Sequence, residues 1–590
     1  MSSYKVLGLF SRSFSLDSAT IPTDVQEVLK EYAENGHVGA EKLQRFLVEV
    51  QGEAQATKSD AEHFIDLQLR ESKLLPKLHS QGLSLDAFLH YLLNPLLNAP
   101  YNRVVHHDMT KPLSHYYIYT GHNSYLTGNQ LSSDCSEKPI ISALLRGVRV
   151  IELDLWPDSN EENIHVLHGR TLTAPVELLK CIEAIKDHAF VASEFPVVIT
   201  LEDHLTPSLQ SLAAKIITRT LGSILYFPEE TESFKEFPSP QSLKRRIIIS
   251  TKPPKEYLSG KSQKVSESTY EKDATQEEPW GDDLPSYSKQ IDSHTKDPPS
   301  TVPPEPDYEE SDLDSGTEVP EHEHPTYKQL IMIHAGKPRG GALKDALAVG
   351  GEEVKRVSLS EPQLEKLAKE YPLELIRFTK RNILRIYPYG LRLNSSNYNP
   401  LVAWSHGAQM VALNMQGYGR PLWLVQGFFR ANGGCGYVKK PEYLLANDEI
   451  FDPRQKQPVK VTLKVTVCMG IGWLERFGKK YFDSFSPPDF YLRIGIAGVE
   501  ADTIMKETKI MEDEWIPKWN EQFEFPLTVP EMALLRIEVH EHDMSGKDDF
   551  GGQTCLPVAE LKTGFRSVPL HDKKGDELSG VRLLVRFQFI

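Results

Sequence analysis

The chain has 590 residues and a formal net charge of −16, from 66 Lys+Arg against 82 Asp+Glu, a sum that on its face excludes polyanionic partners such as nucleic acid. Hydrophobic residues are 40% and charged residues 25%, an ordinary balance that excludes a wholly disordered or fibrous chain, and at roughly 100–200 residues per domain the length predicts several domains. The five cysteines are scattered without C-x-x-C spacing, and no run approaches the roughly 18 apolar residues of a spanning helix, so the pattern excludes a disulfide framework, a structural zinc site and a membrane span.

The opening Met1-Ser2-Ser3-Tyr4-Lys5 leads into no apolar signal region, and Ser2 stands where myristoylation needs Gly. Residues 1–105 read as a helical domain. Val25–Tyr32, Ala40–Val50 and Asp60–Leu75 carry apolar residues at spacings of three and four, and Leu83–Leu89 opens another helix. Residues 106–252 alternate short apolar runs with helical stretches, a βα pattern, and residues 326–443 repeat it less clearly. Between them, residues 253–325 read as a disordered acidic linker. Residues 261–325 hold 18 Asp+Glu against 5 Lys, with nine prolines and no apolar periodicity, so burial cannot offset the entropy of ordering them.

That segment alone carries −13, which leaves the other 525 residues at −3, and residues 326–443 are basic with 17 Lys+Arg against 8 Asp+Glu. The two βα blocks together come to about 265 residues, close to the ~250 of a (β/α)₈ barrel, so one barrel split by the linker is expected. From 455 to 590 the pattern is all-β: Val459–Met469, Phe490–Ile496, Trp519–Phe525, Leu534–His540 and Val581–Ile590 read as strands bounded by Pro, Gly and Asp. The predicted fold class is therefore multidomain: a helical lobe, a split TIM barrel and an all-β sandwich.

Apolar runs in the first βα block end in polar residues: Tyr116–Gly121 in His122-Asn123, Val148–Ile151 in Glu152-Leu153-Asp154, Ile164–Leu167 in His168, and Val197–Leu201 in Glu202. A fifth run, Ile247–Ile249, continues to Lys252. Strand ends form the active face of such a barrel, so these side chains are expected to converge. Glu152 and Asp154 are two apart and share one side of a strand. Three carboxylates and an amide carbonyl make an all-oxygen donor set that suits Ca²⁺, whereas neither His has zinc-ligand spacing. A lone His at a strand end is usually structural, and Glu-x-Asp is usually a solvated pair; their joint occurrence points to a cation-assisted phosphate site.

The motifs Gly121-His122-Asn123-Ser124-Tyr125-Leu126, Glu152-Leu153-Asp154-Leu155-Trp156, His168-Gly169 and Thr200-Leu201-Glu202-Asp203-His204 closely resemble the X region of eukaryotic phosphoinositide-specific phospholipase C. Arg385-Ile386-Tyr387-Pro388, Ser395–Pro400, Trp404, Gln409–Asn414 and Asn432–Tyr437 resemble its Y region. Without a pleckstrin-homology domain, the chain is similar to plant-type members. The resemblance implies that His122 stabilises a pentacovalent phosphorane and His168 is the general acid. Asn123, Glu152, Asp154 and Glu202 would hold Ca²⁺, with Glu152 helping to deprotonate the inositol 2-hydroxyl. Lys252, Ser358, Arg385 and Tyr387 would hold head-group phosphates. The family often has Lys-x-Lys where this chain has Ser250-Thr251-Lys252, and the apolar rim aligns with Leu131, Arg170, Leu172 and Leu391, Arg170 replacing a common aromatic.

The C-terminal block resembles a C2 domain whose loop carboxylates Asp483, Asp489, Glu541, Asp543 and Asp549 are expected to bind Ca²⁺ for membrane docking. The N-terminal helices resemble a degenerate EF-hand lobe: Glu34-Asn35-Gly36-His37 sits at a loop position without the liganding pattern, so it is expected to bind no metal. The resemblance implies cleavage of phosphatidylinositol 4,5-bisphosphate to diacylglycerol and inositol trisphosphate. The expected enzyme is a monomer at the cytoplasmic face of the plasma membrane, reached through the C2 domain and a basic barrel face. Retention of both histidines argues against a non-catalytic scaffold, and the Y-region motifs argue against a glycerophosphodiesterase.

Overall fold

The computed structural model describes residues 2–6, 10–14, 22–71, 82–228, 234–252, 326–336, 343–347, 353–446, 451–455, 457–482, 486–543 and 546–590; the expected linker 253–325 lies outside the described residues. Eight parallel strands form a barrel: β1 (Tyr116–Gly121), β2 (Val150–Pro157), β3 (Val197–Asp203), β4 (Ile247–Thr251), β5 (Ile331–His334), β6 (Arg356–Ser360), β7 (Ile383–Tyr387) and β8 (Met410–Leu413). Their hydrogen-bonded order is β5-β4-β3-β2-β1-β8-β7-β6. A single parallel bridge, Ala335 to Arg356, closes the ring, and Gly336 N–H donates to the Arg356 carbonyl at 2.8 Å beside it.

The staves read as near-continuous Val, Ile and Leu because helices cover their outer faces and side chains fill the interior. Ile247, Ile248 and Ile249 of β4 are all essentially unexposed. The helix Pro207–Leu221 shows how the cover is built. Thr206 caps it by accepting the Leu209 N–H, Pro207 opens it, and Leu209, Ala213, Ile217 and Leu221 form the stripe that faces the sheet. The chain then leaves through Gly222 at φ 54°, a left-handed turn that glycine enters at little cost. At the foot of the barrel Arg149 is fully buried and donates to the carbonyls of Ala189 at 2.6 Å and Leu144 at 3.1 Å; burial lowers its guanidinium to about 10.

The run Ile164–Leu167 is not a barrel stave. Ile164–Val166 pairs antiparallel with the far end of β2, where Leu155 to Pro157 run past the ring, and then with Val176–Glu177. His168 therefore arrives on an excursion beyond the barrel.

The C-terminal sheet is antiparallel and curled: β9 (Val461–Ile471), β10 (Phe490–Ala497), β11 (Ile504–Glu507), β12 (Glu521–Leu527), β13 (Leu534–Glu541), β14 (Asp549–Pro557), β15 (Gly564–His571) and β16 (Glu577–Phe589), in the order β11-β10-β13-β14-β15-β16-β9-β12. Strands β11, β14 and β15 were not expected. Glycines 551 and 552 make β14 resemble a turn, and β15 has no alternation because both its faces are buried. One face meets the N-terminal helices, where the unexposed Arg566 bonds the Glu53 carboxylate at 3.0 Å and the Gln51 carbonyl at 2.6 Å.

Those helices are Thr23–Glu31, Ala40–Glu49, Lys58–Glu71 and Leu85–Leu92, with a short antiparallel pair between His37–Val38 and Leu83–Ser84. Their core, around Leu43, Phe46 and Phe88, runs on into Cys468, Phe565 and Leu584 of the sheet. Met532, Leu534 and Cys555 of the sheet in turn belong to the barrel's outer core. Among the described residues no helix is long and apolar enough to cross a membrane.

Candidate active site

Strand β2 supplies Glu152 and Asp154 on its inward face and β3 supplies Glu202; one oxygen of each lies within 4.8 Å of the others. Glu152 and Asp154 are buried at 4% and 5% exposure, while Glu202 is at the exposed edge. Burial, then the charges of Glu152 and Glu202, push the Asp154 carboxyl well above its usual range. The Asp154 Oδ2 accepts from the Tyr125 hydroxyl at 2.7 Å, but its buried Oδ1 has no hydrogen-bond partner. Glu202 is held below its usual range, chiefly by the hydrogen bond from His204 Nε2 at 3.2 Å.

Asn123 sits at φ 43°, and its amide nitrogen donates to Gln130 Oε1 at 3.2 Å, which leaves its amide oxygen without a protein donor among the described residues. Like charges gathered beside an orphaned buried oxygen are unfavourable alone and favourable around a cation. The four residues thus fit a hard divalent ion.

The two histidines are held alike. His122 Nδ1 lies 2.9 Å from Asn414 Oδ1, and His168 Nδ1 lies 2.6 Å from the Gln130 carbonyl. Both partners are acceptors, so each ring carries a proton on Nδ1 and its Nε2 is the nitrogen left for chemistry. Burial lowers the His122 imidazole from its usual value, and Glu152 partly opposes that. Gly169 follows His168, and a Cβ there would stand 2.0 Å from the Trp156 ring, which is itself stacked on His204 at 3.9 Å between centroids.

The expected phosphate contacts come from β4, β6 and β7. Ser358 pairs in register with Arg385, and the Arg385 guanidinium lies 5.7 Å from the Tyr387 ring centroid. Arg385 is not free: its Nη2 is 2.5 Å from Glu152 Oε2, because the acidic pocket draws the nearest cation, although its Nε has no hydrogen-bond partner. Lys252 lies exposed just past β4, where its charge helps lower Glu202. Ser250, at the position where the resemblance led one to expect a lysine, accepts from the buried Arg356 Nη1 at 2.9 Å, so a positive charge stands beside it. Burial lowers this guanidinium to about 9.

Arg356, Gln130, Asn414 and His204 escaped the sequence reading as functional candidates. His204 and Asn414 lie inside the motifs Thr200–His204 and Gln409–Asn414, which was a signal for both; Gln130 offered only its place before the rim residue Leu131, and Arg356 only its place in a charged stretch.

The C2 carboxylates are less assembled. Asp489 Oδ1 accepts the Asp513 N–H at 2.8 Å, the Asp543 N–H donates to Asp548 Oδ1 at 3.3 Å, and Glu541 is buried. Burial and then Asp543 raise the Asp549 carboxyl. Asp483 lies outside the described residues, and among those described these carboxylates form no group of three within ligand reach.

A second cluster, His106, His107 and Glu560, joins the barrel to the C2 sheet. The Lys439 N–H donates to His107 Nδ1 at 3.2 Å, so the ring proton is on Nε2, which faces Glu560 Oε1 at 3.0 Å. That nitrogen donates a hydrogen bond to the carboxylate and offers no lone pair to a metal.

Residues 109–253 match the family model for the phosphatidylinositol-specific phospholipase C X domain, 348–443 the Y domain and 461–571 the C2 domain. Phosphoinositide phospholipase C 2 of Arabidopsis thaliana is 56% identical, covering 100% of this chain and 99% of that protein, and Phosphoinositide phospholipase C 7 of the same plant is 53% identical over equal shares. The mouse 1-phosphatidylinositol 4,5-bisphosphate phosphodiesterase delta-3 is 32% identical over 96% of this chain and 68% of its own length. The crystal structure of S. officinalis PLC21 superposes with a TM-score of 0.69 at 23% identity, covering 97% of this chain and 68% of that one, and shares the fold. With both catalytic halves and the C2 domain matched end to end, the chain belongs to the phosphoinositide phospholipase C enzymes.

Proposed function

We propose that this enzyme cleaves phosphatidylinositol 4,5-bisphosphate to diacylglycerol and inositol trisphosphate in a Ca²⁺-dependent reaction. The carrying observation is three carboxylates within 4.8 Å of one another, with an orphaned buried oxygen, in a barrel that also fixes two histidines with Nε2 free. The mouse relative's name specifies this lipid.

Glu152, Asp154, Glu202 and Asn123 hold the ion, which when bound supplies charge neutralisation at the phosphate and acidifies the attacking hydroxyl. Glu152 takes the proton of the inositol 2-hydroxyl as its oxygen attacks phosphorus. His122 stabilises the charge that builds on the phosphorane. His168 enters this step protonated on both ring nitrogens: it gives the Nε2 proton to the departing diacylglycerol oxygen and keeps its Nδ1–H on the Gln130 carbonyl, which holds the ring aimed. The cyclic phosphodiester then opens with water. Lys252, Ser358, Arg385 and Tyr387 bind the head-group phosphates. Arg385 suits a bidentate contact and must exchange Glu152 for phosphate as the substrate enters.

We further read the chain as a monomer with no nucleic-acid role, acting peripherally at the cytoplasmic face of the plasma membrane. The C2 domain, with Ca²⁺ at Asp483, Asp489, Glu541, Asp543 and Asp549, and a basic barrel face dock it there; the exposed Leu131, Leu172 and Leu391 support a membrane-facing rim. The helices of 1–105, paired through His37–Val38 and Leu83–Ser84, are an EF-hand-like domain without metal. The domain limits we propose are 106–252, 326–443 and 455–590; residues 253–325 lie outside the described residues.

The test is release of water-soluble inositol phosphate from vesicles containing this lipid at buffered Ca²⁺. Release that rises with Ca²⁺ and falls at least a hundredfold in His168→Ala is expected; no release at any Ca²⁺ level rejects the reading.

A further inference from the structure

Gln130 lies on the loop after β1, next to the exposed Leu131, yet is only 5% exposed itself. Its backbone carbonyl takes the His168 Nδ1–H at 2.6 Å. Its side-chain Oε1 accepts from Asn123 Nδ2 at 3.2 Å. Its Nε2 donates to Asn414 Oδ1 at 3.1 Å, the same oxygen that takes the His122 Nδ1–H at 2.9 Å, and to Ser395 Oγ at 2.9 Å. One residue of the X half thus touches His168 and Asn123 directly, His122 through one atom, and the Y half twice through its side chain.

The main chain around it is fastened to the apolar rim. The Gln130 N–H donates to the Leu393 carbonyl at 2.8 Å, and the Leu172 N–H donates to the Leu131 carbonyl at 2.8 Å. Leu131, Leu172 and Leu393 are 44%, 82% and 43% exposed.

From this geometry we infer that Gln130 is a positioning residue: it sets both histidine tautomers and the Asn123 amide from a single point, and links them to the rim that meets the substrate's membrane. The inference rests on the reading of the two histidines given above. An amide suits the task because it accepts and donates at once. Without its side chain, Asn123 Nδ2 and Asn414 Oδ1 each lose a buried partner, and both are free to rotate. A displacement of about 1 Å at reacting groups costs up to ~10²-fold in rate. Simple loop fastening would change the melting temperature but leave the imidazoles as they are.

The test uses the full chain as Gln130→Met, which keeps the volume without the hydrogen bonds, and Gln130→Glu, which keeps the acceptor for Asn123 but not the donor for Asn414. ¹⁵N-histidine NMR on Ca²⁺-free protein reads the tautomers, and vesicle assays read kcat and KM separately. In Gln130→Met we expect mixed tautomers at His122, an unchanged His168 because its partner is the main-chain carbonyl of residue 130, and at least a tenfold lower kcat, with KM within twofold. In Gln130→Glu only His122 is expected to change. Tautomers identical to wild type in both variants overturn the proposal, as does an unchanged kcat with altered tautomers. If the wild type itself releases no inositol phosphate, the functional reading fails, and the NMR comparison alone decides the role of Gln130.

Discussion

At the scale of single residues, the site is governed by hydrogen-bond direction as much as by charge. His122 and His168 each donate from Nδ1 to an oxygen, one a side-chain amide and the other a backbone carbonyl. Gly169 supports the second ring by leaving space: any Cβ would meet Trp156 Cζ2 at 2.0 Å. Gly169→Ala should therefore move the His168 turn and lower kcat by ~10²-fold, with Ca²⁺ affinity by calorimetry within twofold of wild type, because the carboxylates stand on other strands. Loss of Ca²⁺ binding instead would show that the Trp156 stack carries Glu202 as well. The spacing Glu-x-Asp was legible because strand alternation is a rule of geometry. Gln130, Asn414 and Arg356 were not, because a buried amide or guanidinium is chosen by its partners, and those come from positions as distant as Ser395 and Thr200.

At the scale of elements, the helix Arg420–Phe428 packs a barrel flank on β13 and β14 of the C2 sheet. Glu538 of β13 is 2% exposed and faces Arg536 Nη2 at 2.6 Å, Arg420 Nε at 3.3 Å and His540 Nε2 at 3.4 Å. Burial alone would raise this carboxyl, but His540 and the two arginines outweigh it and hold it well below its usual range. Glu538→Gln leaves two guanidinium groups short of a counter-charge, so the chain should lose about 3–5 kcal/mol of stability in denaturant melts. A loss under 1 kcal/mol would mean that solvent reaches the cluster.

The Glu560 joint adds a pH dependence. Burial tends to raise Glu560, yet the hydrogen bond from His107 and the His106 charge bring it below its ordinary 4.5. A depressed carboxyl contributes stability in full above the unfolded value and loses it as pH falls through the folded one. Melting temperature should accordingly drop more steeply below about pH 4.5 in the wild type than in Glu560→Gln; parallel curves would remove Glu560 from the account. Element prediction worked where burial is one-sided, as in Ala40–Glu49 with its stripe of Leu43, Phe46 and Leu47. It failed for β15, where Arg566 and Ser567 are buried against the helical lobe and polar letters read as surface.

At the scale of the whole molecule, the opening charge of −16 divides unevenly: −13 falls in residues 261–325, and the Y-half block 326–443 is basic. The linker leaves directly after Lys252, on the face where β4 ends. By charge alone, a segment carrying −13 at that point of the chain would compete with anionic lipid for nearby cations. Deleting residues 261–325 should raise basal hydrolysis on anionic vesicles severalfold and steepen its salt dependence; equal or lower activity in a folded deletion refutes the idea. No pattern in the chain foretold how the end modules attach, because those contacts join residues hundreds of positions apart, such as Gln51 to Phe565.

The closure of the barrel has a further consequence. Its two halves meet along two seams, β1 with β8 and β4 with β5, and the pairs described along them join 118–121 to 410–413 and 249–251 to 331–334. Covalent continuity between the halves, through residues 253–325, keeps the local concentration of one high around the other. A peptide bond cut in that stretch would convert folding into assembly of two fragments, each carrying part of the site: the histidines and carboxylates on one, and Ser358, Arg385 and Tyr387, proposed above to hold phosphate, on the other. A change of length or charge in that stretch would leave both seams and every named site residue in place, so it would alter the control of the reaction and keep the catalyst.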